Sequence, residues 1–471
     1  MELMIPFAAQ TGQPMYEQIY EYIKEEIRKG SLVSGTRLPS TRTLAEHLKI
    51  SRSTTQMAYD QLVSEGYIET VPCKGYFVLK IDELVEVEPE TAKGFVVEPE
   101  QKERKFDIDF SPRGIDLTGF PYNAWRKVTR ATLMDDDKEM FLTGSPQGEP
   151  GLREAIRGYL HSARGVNCSA DQIIIGAGSE YLMMLLSQIL GNNRTIAMEN
   201  PTYRQAYRVF ESLGCCMEPV EMDTHGMNVQ LLENSKADIA YVMPSHQYPT
   251  GVVMPVKRRQ QLLAWASQKE DRYLIEDDYD SEFRYRGRPI PALQGMDVRG
   301  KVIYMGTFSK SIAPAIRVGY LVLPPALLAL YKKKCGFYAS TVSRIDQKII
   351  YQFLTEGYYE RHLNRMRAIY KGKHDALMSE LKLLGADFLV QGEYAGLHVL
   401  LKYRKPEKEE WLVEKAKEAG VGVYGISGFL IAPLTDEREA DFSAVVLGYA
   451  RLNEEQIRDG IHRLANAWKG R

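Results

Sequence analysis

Gly306-Thr307-Phe308-Ser309-Lys310-Ser311, continuing through Pro314 and Arg317 to Gly319-Tyr320, is the stretch on which the reading of this chain turns. Lys301 to Met305 before it and Val318 to Leu323 after it are short apolar runs of strand character. Lys310 therefore stands on a loop between two buried elements, where an amine is partly desolvated. Desolvation lowers a lysine's pKa and lets it condense with a carbonyl. Thr307, Ser309 and Arg317 supply hydroxyls and a guanidinium fork that can hold a phosphate. A condensing lysine beside a phosphate cradle is the pairing that pyridoxal phosphate requires. The plain alternative is a polar surface loop with a solvated lysine, and the motif alone does not decide between them.

The chain's 471 residues exceed one average domain, so two or three are expected. Hydrophobic residues at 44% and charged residues at 26% are ordinary for a globular chain. A formal net charge of −2 gives no overall basic character, so any nucleic-acid surface is local. The five cysteines are scattered and form no CxxC pair. They argue for reduced thiols rather than a disulfide framework or a metal site. No basic run followed by an apolar core opens the chain, and no apolar stretch reaches membrane-spanning length. The expectation is a soluble cytoplasmic protein.

From Pro14 to Arg28, Met15, Ile19, Ile23 and Ile27 recur at helical spacing, with Pro14 suited to the first turn. Leu38-Pro39-Ser40 opens a second, shorter helix capped by Ser40 or Thr41, and Ser51 caps a third that runs to Glu65. A short helix, a tight turn and a longer helix form a helix-turn-helix. Gly66 to Val71 and Gly75 to Val78 then alternate like a hairpin, which adds a wing. The third helix begins Ser51-Arg52-Ser53-Thr54-Thr55-Gln56, short donors and one arginine at the end that enters a major groove. Arg42 lies at the start of the helix before it, and Lys74-Gly75 forms the wing tip. Each of these residues alone reads as a helix cap or a solvated charge; together they point to double-stranded DNA.

Leu38-Pro39-Ser40-Thr41-Arg42, Leu44-Ala45, Ser51 to Thr55, Tyr59, Leu62, Glu65-Gly66 and Gly75 resemble the GntR-type winged helix across residues 14–79. That resemblance implies DNA contacts from Arg42, Arg52, Ser53, Thr54 and Gly75. Ser51, Gln56 and Lys74 join the candidate set, although Gln56 stands where some family members carry a basic residue.

From Lys80 to about Asp107 acidic residues and two prolines dominate without periodicity, the composition of a self-repelling linker. Beyond it, strands and helices alternate as in an open, mostly parallel sheet. Ile173 to Ile175 runs into Gly176-Ala177-Gly178-Ser179-Glu180, a glycine turn at a helix start and a natural phosphate site. Three further apolar runs end in Glu199 to Tyr203, Pro244 to Gly251 and Glu276 to Asp280. In a parallel sheet these clusters gather at the carboxyl edge, the usual ligand crevice. They supply what pyridoxal phosphate needs beside its lysine: a carboxylate for the ring nitrogen, an aromatic ring to stack on, donors for the ring oxygen and a phosphate cup.

Gly178-Ser179, Pro201-x-Tyr203, Pro249-Thr250-Gly251, Asp277/Tyr279 and Ser309-Lys310…Arg317-x-Gly319 resemble the fold-type I aminotransferases over roughly 106–471. The resemblance implies Lys310 as the Schiff-base lysine, Asp277 against the pyridine nitrogen, Tyr203 stacked on the ring and Tyr279 donating to the ring oxygen. Ser179, Thr307, Ser309 and Arg317 would hold the phosphate with backbone donors from Ser179 and Glu180. Asp278 is the alternative to Asp277.

The whole chain is similar to the MocR/GabR regulators. The implied layout is a GntR-type DNA-binding domain at 1–79, a linker at 80–106 and an aminotransferase-like α/β effector domain with large and small subdomains at 107–471. The implied function is a DNA-binding regulator of amino-acid, amine or vitamin B6 metabolism that acts as a head-to-tail homodimer. Its effector would be an amino acid, an amine or pyridoxal phosphate itself. Two departures from transaminases stand out. Tyr248 replaces the asparagine before Pro249-Thr250-Gly251, behind Ser245-His246-Gln247, and Val446 stands where transaminases place a carboxylate-binding arginine. The regulators often show the Ser-His-Gln form, and Val446 weighs against efficient amino-acid turnover, though not against a slow half-reaction. The alternative is a working transaminase whose DNA-binding domain only regulates its own expression.

Overall fold

The computed structural model describes residues 3, 5, 13–80, 106–134, 138–191, 193–285, 287, 289–405, 407–434 and 443–468. Apart from its two end residues, the linker expected at 80–106 lies outside the described residues. The chain divides into two compact units, Met1–Glu103 and Arg104–Arg471.

In the first unit α1 (Met15–Arg28) and α2 (Thr41–Leu48) pack against α3 (Arg52–Ser64). The apolar stripe Ile19, Ile23 and Ile27 is buried against Leu44, Ala58, Tyr59 and Leu62. Full burial of each such aliphatic side chain stabilises by roughly 1.5–3 kcal/mol. Ser40 and Ser51 accept hydrogen bonds from the Thr43 and Thr54 amides at 3.1 and 3.2 Å, so both helix starts are capped as expected. Between α2 and α3 the chain reverses through Lys49 in the left-handed region, φ 54°. Strands β1 (Ile68–Val71) and β2 (Gly75–Val78) pair antiparallel, Ile68 with Val78 and Val71 with Gly75, and the Ile68–Val78 end of this wing is buried in the helical core.

The second unit opens with β3 (Ile108–Asp109) and helices α4 (Tyr122–Leu133) and α5 (Pro150–Arg164). Strand β4 (Ile173–Gly176) leads to α6 (Ser179–Leu190), and β5 (Thr195–Asn200) to α7 (Arg204–Ser212). Then come β6 (Cys216–Asp223), β7 (Gly226–Met227), β8 (Ile239–Val242), β9 (Tyr273–Asp278), β10 (Val302–Thr307) and β11 (Gly319–Val322). They form an eight-stranded sheet in the order β4-β11-β10-β9-β8-β5-β6-β7. The central strands run parallel, whereas β11 is antiparallel to both neighbours. The segment joining β10 to β11 carries Lys310 and is too short for a parallel crossover, so the chain must return antiparallel.

Helices cover both faces, so the strands are buried on both sides and read as nearly continuous apolar runs. One face holds Tyr241, Ile275, Ile303 and Met305 beneath α6 and α7. The other carries Val242, Leu274 and Val302 in one cluster, and Tyr304 and Tyr320 in another. A smaller antiparallel sheet contains β12 (Phe388–Gln391), β13 (His398–Tyr403), β15 (Tyr424–Gly425) and β16 (Ala444–Gly448), in the order β12-β13-β16-β15. Strand β14 (Val421–Gly422) pairs with β3. Among the described residues no helix is long and apolar enough to cross a membrane. All five cysteines are unpaired thiols.

Candidate functional site

The carboxyl ends of β5, β8, β9 and β10 meet at one edge of the large sheet, and the polar clusters of the sequence gather there. Lys310 occupies the turn just past β10. Its Nζ donates to the carbonyl oxygens of Arg113 at 2.9 Å and Pro112 at 3.3 Å. Burial pushes the amine down to about 8, the Asp280 charge opposes this and the Arg113 charge adds to it. An amine so placed is free base in far greater proportion near neutrality than a solvated lysine.

Strand alternation separates the two adjacent acids. Asp277 shares its face of β9 with Ile275 and accepts a hydrogen bond from the Tyr241 hydroxyl. Asp278 points to the opposite face, where Arg164 donates at 2.8 Å and the Tyr304 hydroxyl at 2.5 Å. Burial, helped by the charges of Asp278 and Asp280, raises the Asp277 carboxyl to about 7 against the Tyr241 bond. Tyr203 stands at the start of α7 with its ring 5.8 Å, edge to face, from Tyr248. Burial, then the Asp277 charge, pushes its phenol up to about 12. The Tyr279 hydroxyl lies 3.0 Å from His246 Nδ1. Burial and the neighbouring Asp280 hold that phenol well above its ordinary value, so it stays protonated.

On the other side of Lys310 lies a set of anion donors. Gly178, at φ 89°, precedes α6, whose first turn has no side-chain cap. A Cβ at Gly178 would come within 2.6 Å of Arg317 Nη2, so only glycine lets the guanidinium reach this helix start. Arg317 donates to Glu180 Oε2 at 2.7 Å and to Ala177 O at 3.2 Å. Burial raises the Glu180 carboxyl, but the hydrogen bonds from Arg317, its own amide and Ser179, together with the Arg317 charge, outweigh it and the group titrates below its usual range. Thr307 Oγ1 donates to Ser309 Oγ at 2.9 Å and accepts from the Ser309 amide at 3.1 Å, and Ser179 Oγ lies 3.4 Å from Glu180 Oε2.

In the first unit Arg42, Arg52, Ser53 and Lys74 are exposed and Thr54 is half-buried. Arg42 Nε donates to Glu46 at 3.0 Å. The Ser51 hydroxyl is committed to the helix cap and to contacts with Ser53 Oγ and Thr54 Oγ1 at 2.8 and 2.7 Å. The Gln56 amide donates to Asp60 at 2.7 Å and to the wing residue Tyr76 at 3.2 Å, which fixes its orientation. Gly75, at φ 106°, starts β2 beside the Arg37 side chain.

Residues 116–464 match the family described as aminotransferase class I and II. Residues 15–78 match the bacterial regulatory proteins of the gntR family. The HTH-type transcriptional regulator YdeL of Bacillus subtilis is 39% identical over 97% of this chain and 97% of its own. The probable rhizopine catabolism regulatory protein MocR of Rhizobium meliloti is 31% identical over 97% of this chain and 94% of its own. The chain belongs to the MocR/GabR-type regulators. Among solved structures, the multiple substrate aminotransferase of Thermococcus profundus superposes with a TM-score of 0.68 at 26% identity, covering 78% of this regulator and 92% of that enzyme.

The cofactor of this fold is pyridoxal 5′-phosphate, and the donor set of the regulator fits it. Asp277 is a buried carboxylate near neutral pKa whose one side-chain hydrogen bond among the described residues comes from Tyr241, so a protonated ring nitrogen would satisfy it. Arg317 and the uncapped start of α6 suit a phosphate. Several neighbours were not found in the sequence reading. Arg164, which pairs with Asp278, and Tyr241, which bonds Asp277, are distant in sequence and meet the acids only through sheet register. The Asp280–His246 contact and the carbonyls that hold Lys310 are likewise tertiary. Of the two arginine candidates to stand in for the one absent at Val446, Arg204 donates to Gly428 O at 3.2 Å, and the Arg451 side chain packs over Gly114.

Proposed function

We propose that this regulator binds operator DNA through its winged helix and reads an amine-bearing ligand at Lys310, with the aminotransferase unit serving as a sensor. The observation that carries the reading is Val446. It is fully buried on β16 in an apolar cluster with Leu400, Ile426 and Ala444. By resemblance, a transaminase places its carboxylate-binding arginine there. Without that bidentate partner an amino acid is poorly held for turnover, whereas reversible ligand binding needs no turnover.

Bound pyridoxal phosphate supplies an aldehyde carbon that condenses reversibly with amines. The protein's own residues do the rest. Asp277 holds the ring nitrogen's proton, Tyr203 offers a stacking face and Tyr279 a phenol donor. Arg317, Ser179, Thr307, Ser309 and the Glu180 amide hold the phosphate. Lys310, whenever it is a free ammonium, has the Pro112 and Arg113 carbonyls within hydrogen-bond reach. That grip fixes the segment that opens the second unit, and it offers a way for ligand state to alter chain geometry. Arg42, Arg52, Ser53, Thr54, Lys74 and Gly75 serve the DNA surface, and a head-to-tail dimer through the aminotransferase units completes the reading.

In the full-length chain, Lys310→Ala should abolish both the visible absorption of bound cofactor and the ligand-dependent change in operator affinity. Ligand-free operator binding should remain. A Lys310→Ala protein that keeps its full ligand response sinks the proposal, and sustained multiple turnover by the wild-type protein with an amino acid and a keto acid moves it to a catalyst.

A further inference from the structure

His246 belongs to the Ser-His-Gln stretch just ahead of Tyr248, which stands where transaminases carry their asparagine, and the cofactor residues named above leave it without a task. Its ring is fully enclosed. Nδ1 lies 3.0 and 3.2 Å from the two Asp280 carboxylate oxygens, and 3.0 Å from the Tyr279 hydroxyl. Nε2 is buried without a partner among the described residues. Two glycines make room for the ring. A Cβ at Gly396 would lie 1.9 Å from its Cε1, and one at Gly251 would lie 3.4 Å from Nε2 and 2.5 Å from the Gly392 backbone. The His398 ring stands 4.8 Å away and engages Pro249 O through its own Nε2 at 3.1 Å.

This geometry fixes a tautomer. An ionised carboxylate only accepts, so Asp280 requires the imidazole proton on Nδ1. An Nδ1–H donor facing both Asp280 and Tyr279 meets the tyrosine at its oxygen lone pairs. The phenol proton is then turned away from the imidazole and has two destinations, the Asp280 carboxylate, which also shares a hydrogen bond with this hydroxyl, and a ring oxygen of bound cofactor. With the opposite tautomer, Nδ1 would accept the phenol proton and remove it from the site.

We propose that Asp280 and His246 act as a positioning relay that points the Tyr279 hydroxyl proton at the cofactor's ring oxygen, in place of the missing asparagine. The inference rests on the placement of Tyr279 proposed above. A phenol donating to the ring oxygen stabilises its anion, so the pH midpoint of the cofactor's visible band is lowered. Losing the donor raises it, and a hydrogen bond to a charged group corresponds to about one pH unit. The charged and titratable groups around the relay are Asp277 and Asp280 on its own stretch, Lys310 past β10, His398 on β13 and Tyr248. Arg113 faces Lys310 and Tyr248. None of these is altered in Tyr279→Phe or His246→Gln, and Asp280→Asn keeps the side chain's size.

The experiment is a pH titration of the visible band of the full-length protein reconstituted with pyridoxal phosphate. The proteins compared are the wild type, Tyr279→Phe, Asp280→Asn, His246→Gln and the Tyr279→Phe/Asp280→Asn double variant, with circular dichroism and melting checked for each. Tyr279→Phe should raise the midpoint by about one unit. Asp280→Asn and His246→Gln should raise it in the same direction, and the double variant should add nothing to Tyr279→Phe alone. A shift in Tyr279→Phe with wild-type midpoints in both relay variants overturns the relay, as does an additive double variant. So does a stoichiometric bound metal in the purified protein, since His246, Asp280 and His398 offer ligand atoms within 4.8 Å of one another. An unshifted Tyr279→Phe overturns the relay by removing Tyr279 from the ring oxygen. A wild-type protein with no band overturns the cofactor placement itself.

Discussion

At the scale of single residues, the adjacent acids Asp277 and Asp278 show how one step along a strand sends two carboxyls to opposite faces and different partners. Asp278 and Arg164 are an enclosed ion pair, and removing one partner of such a pair strands a buried charge. Arg164→Met should lower unfolding stability by about 3–5 kcal/mol in urea denaturation. Asp277→Asn should behave in the opposite way. The Asp277 carboxyl titrates higher in the folded protein than in the unfolded chain, so it costs stability as pH rises through about 7. An amide removes that cost while weakening the hold on the ring nitrogen. The expected outcome is a protein at least as stable as the wild type at pH 8 that loses most of its affinity in a pyridoxal phosphate titration. A stable Arg164→Met beside a collapsed Asp277→Asn would reverse the assignment. This distinction was not legible in the sequence, because Glu276-Asp277-Asp278 offers three acids in a row and only the burial of both sheet faces tells them apart. The place of Lys310 on a loop between two buried strands, by contrast, was legible, since those strands and its hydroxyl neighbours are contiguous.

At the scale of elements, the winged helix was read from sequence almost residue by residue. Its signals are local: Ser40 and Ser51 as caps, the isoleucine stripe of α1 and the turn between two alternating runs. What the sequence reading blurred is which polar residues are already spent. The Ser51 hydroxyl closes the start of α3, and the Gln56 amide is held by Asp60 and Tyr76. The two neighbours at the head of α3 should therefore fail differently. Ser51→Ala should cost about 1 kcal/mol of stability through the lost cap. Arg52 is exposed and makes no such bond among the described residues, so Arg52→Ala should leave stability unchanged. If it meets a phosphate, it should weaken operator binding and flatten the log-affinity against log-salt slope by about 0.9. Urea melts and operator titrations at several salt concentrations separate the two, and an unchanged salt slope would remove Arg52 from the phosphate backbone.

At the scale of the whole molecule, the segment that opens the second unit is tied to distant parts of that unit at several points, one of them Lys310. Strand β3 pairs with β14, the Gly448 amide donates to Phe110 O at 2.8 Å, and Lys310 holds the Pro112 and Arg113 carbonyls. Just beyond, Lys373 pairs with Asp116 at 2.6 Å and donates to Ala450 O at 2.7 Å, both groups buried. These ties join residues hundreds of positions apart, which is why the sequence ended this stretch at a linker boundary and assigned it no role. The Lys310 tie is the conditional one, because the same Nζ cannot donate to two carbonyls and stay committed to the cofactor. Residues 107–118 should therefore exchange backbone hydrogens slowly in the cofactor-free protein, faster once pyridoxal phosphate engages Lys310, and slowly again when an amine ligand frees the lysine. Lys310→Ala should exchange fast in all three conditions. Hydrogen-exchange mass spectrometry on peptides covering this segment tests the sequence directly. If exchange in 107–118 ignores cofactor and amine while peptides around Tyr203 and Tyr279 respond, the ligand state is transmitted by another route and the Lys310 grip is only a resting place for the free amine.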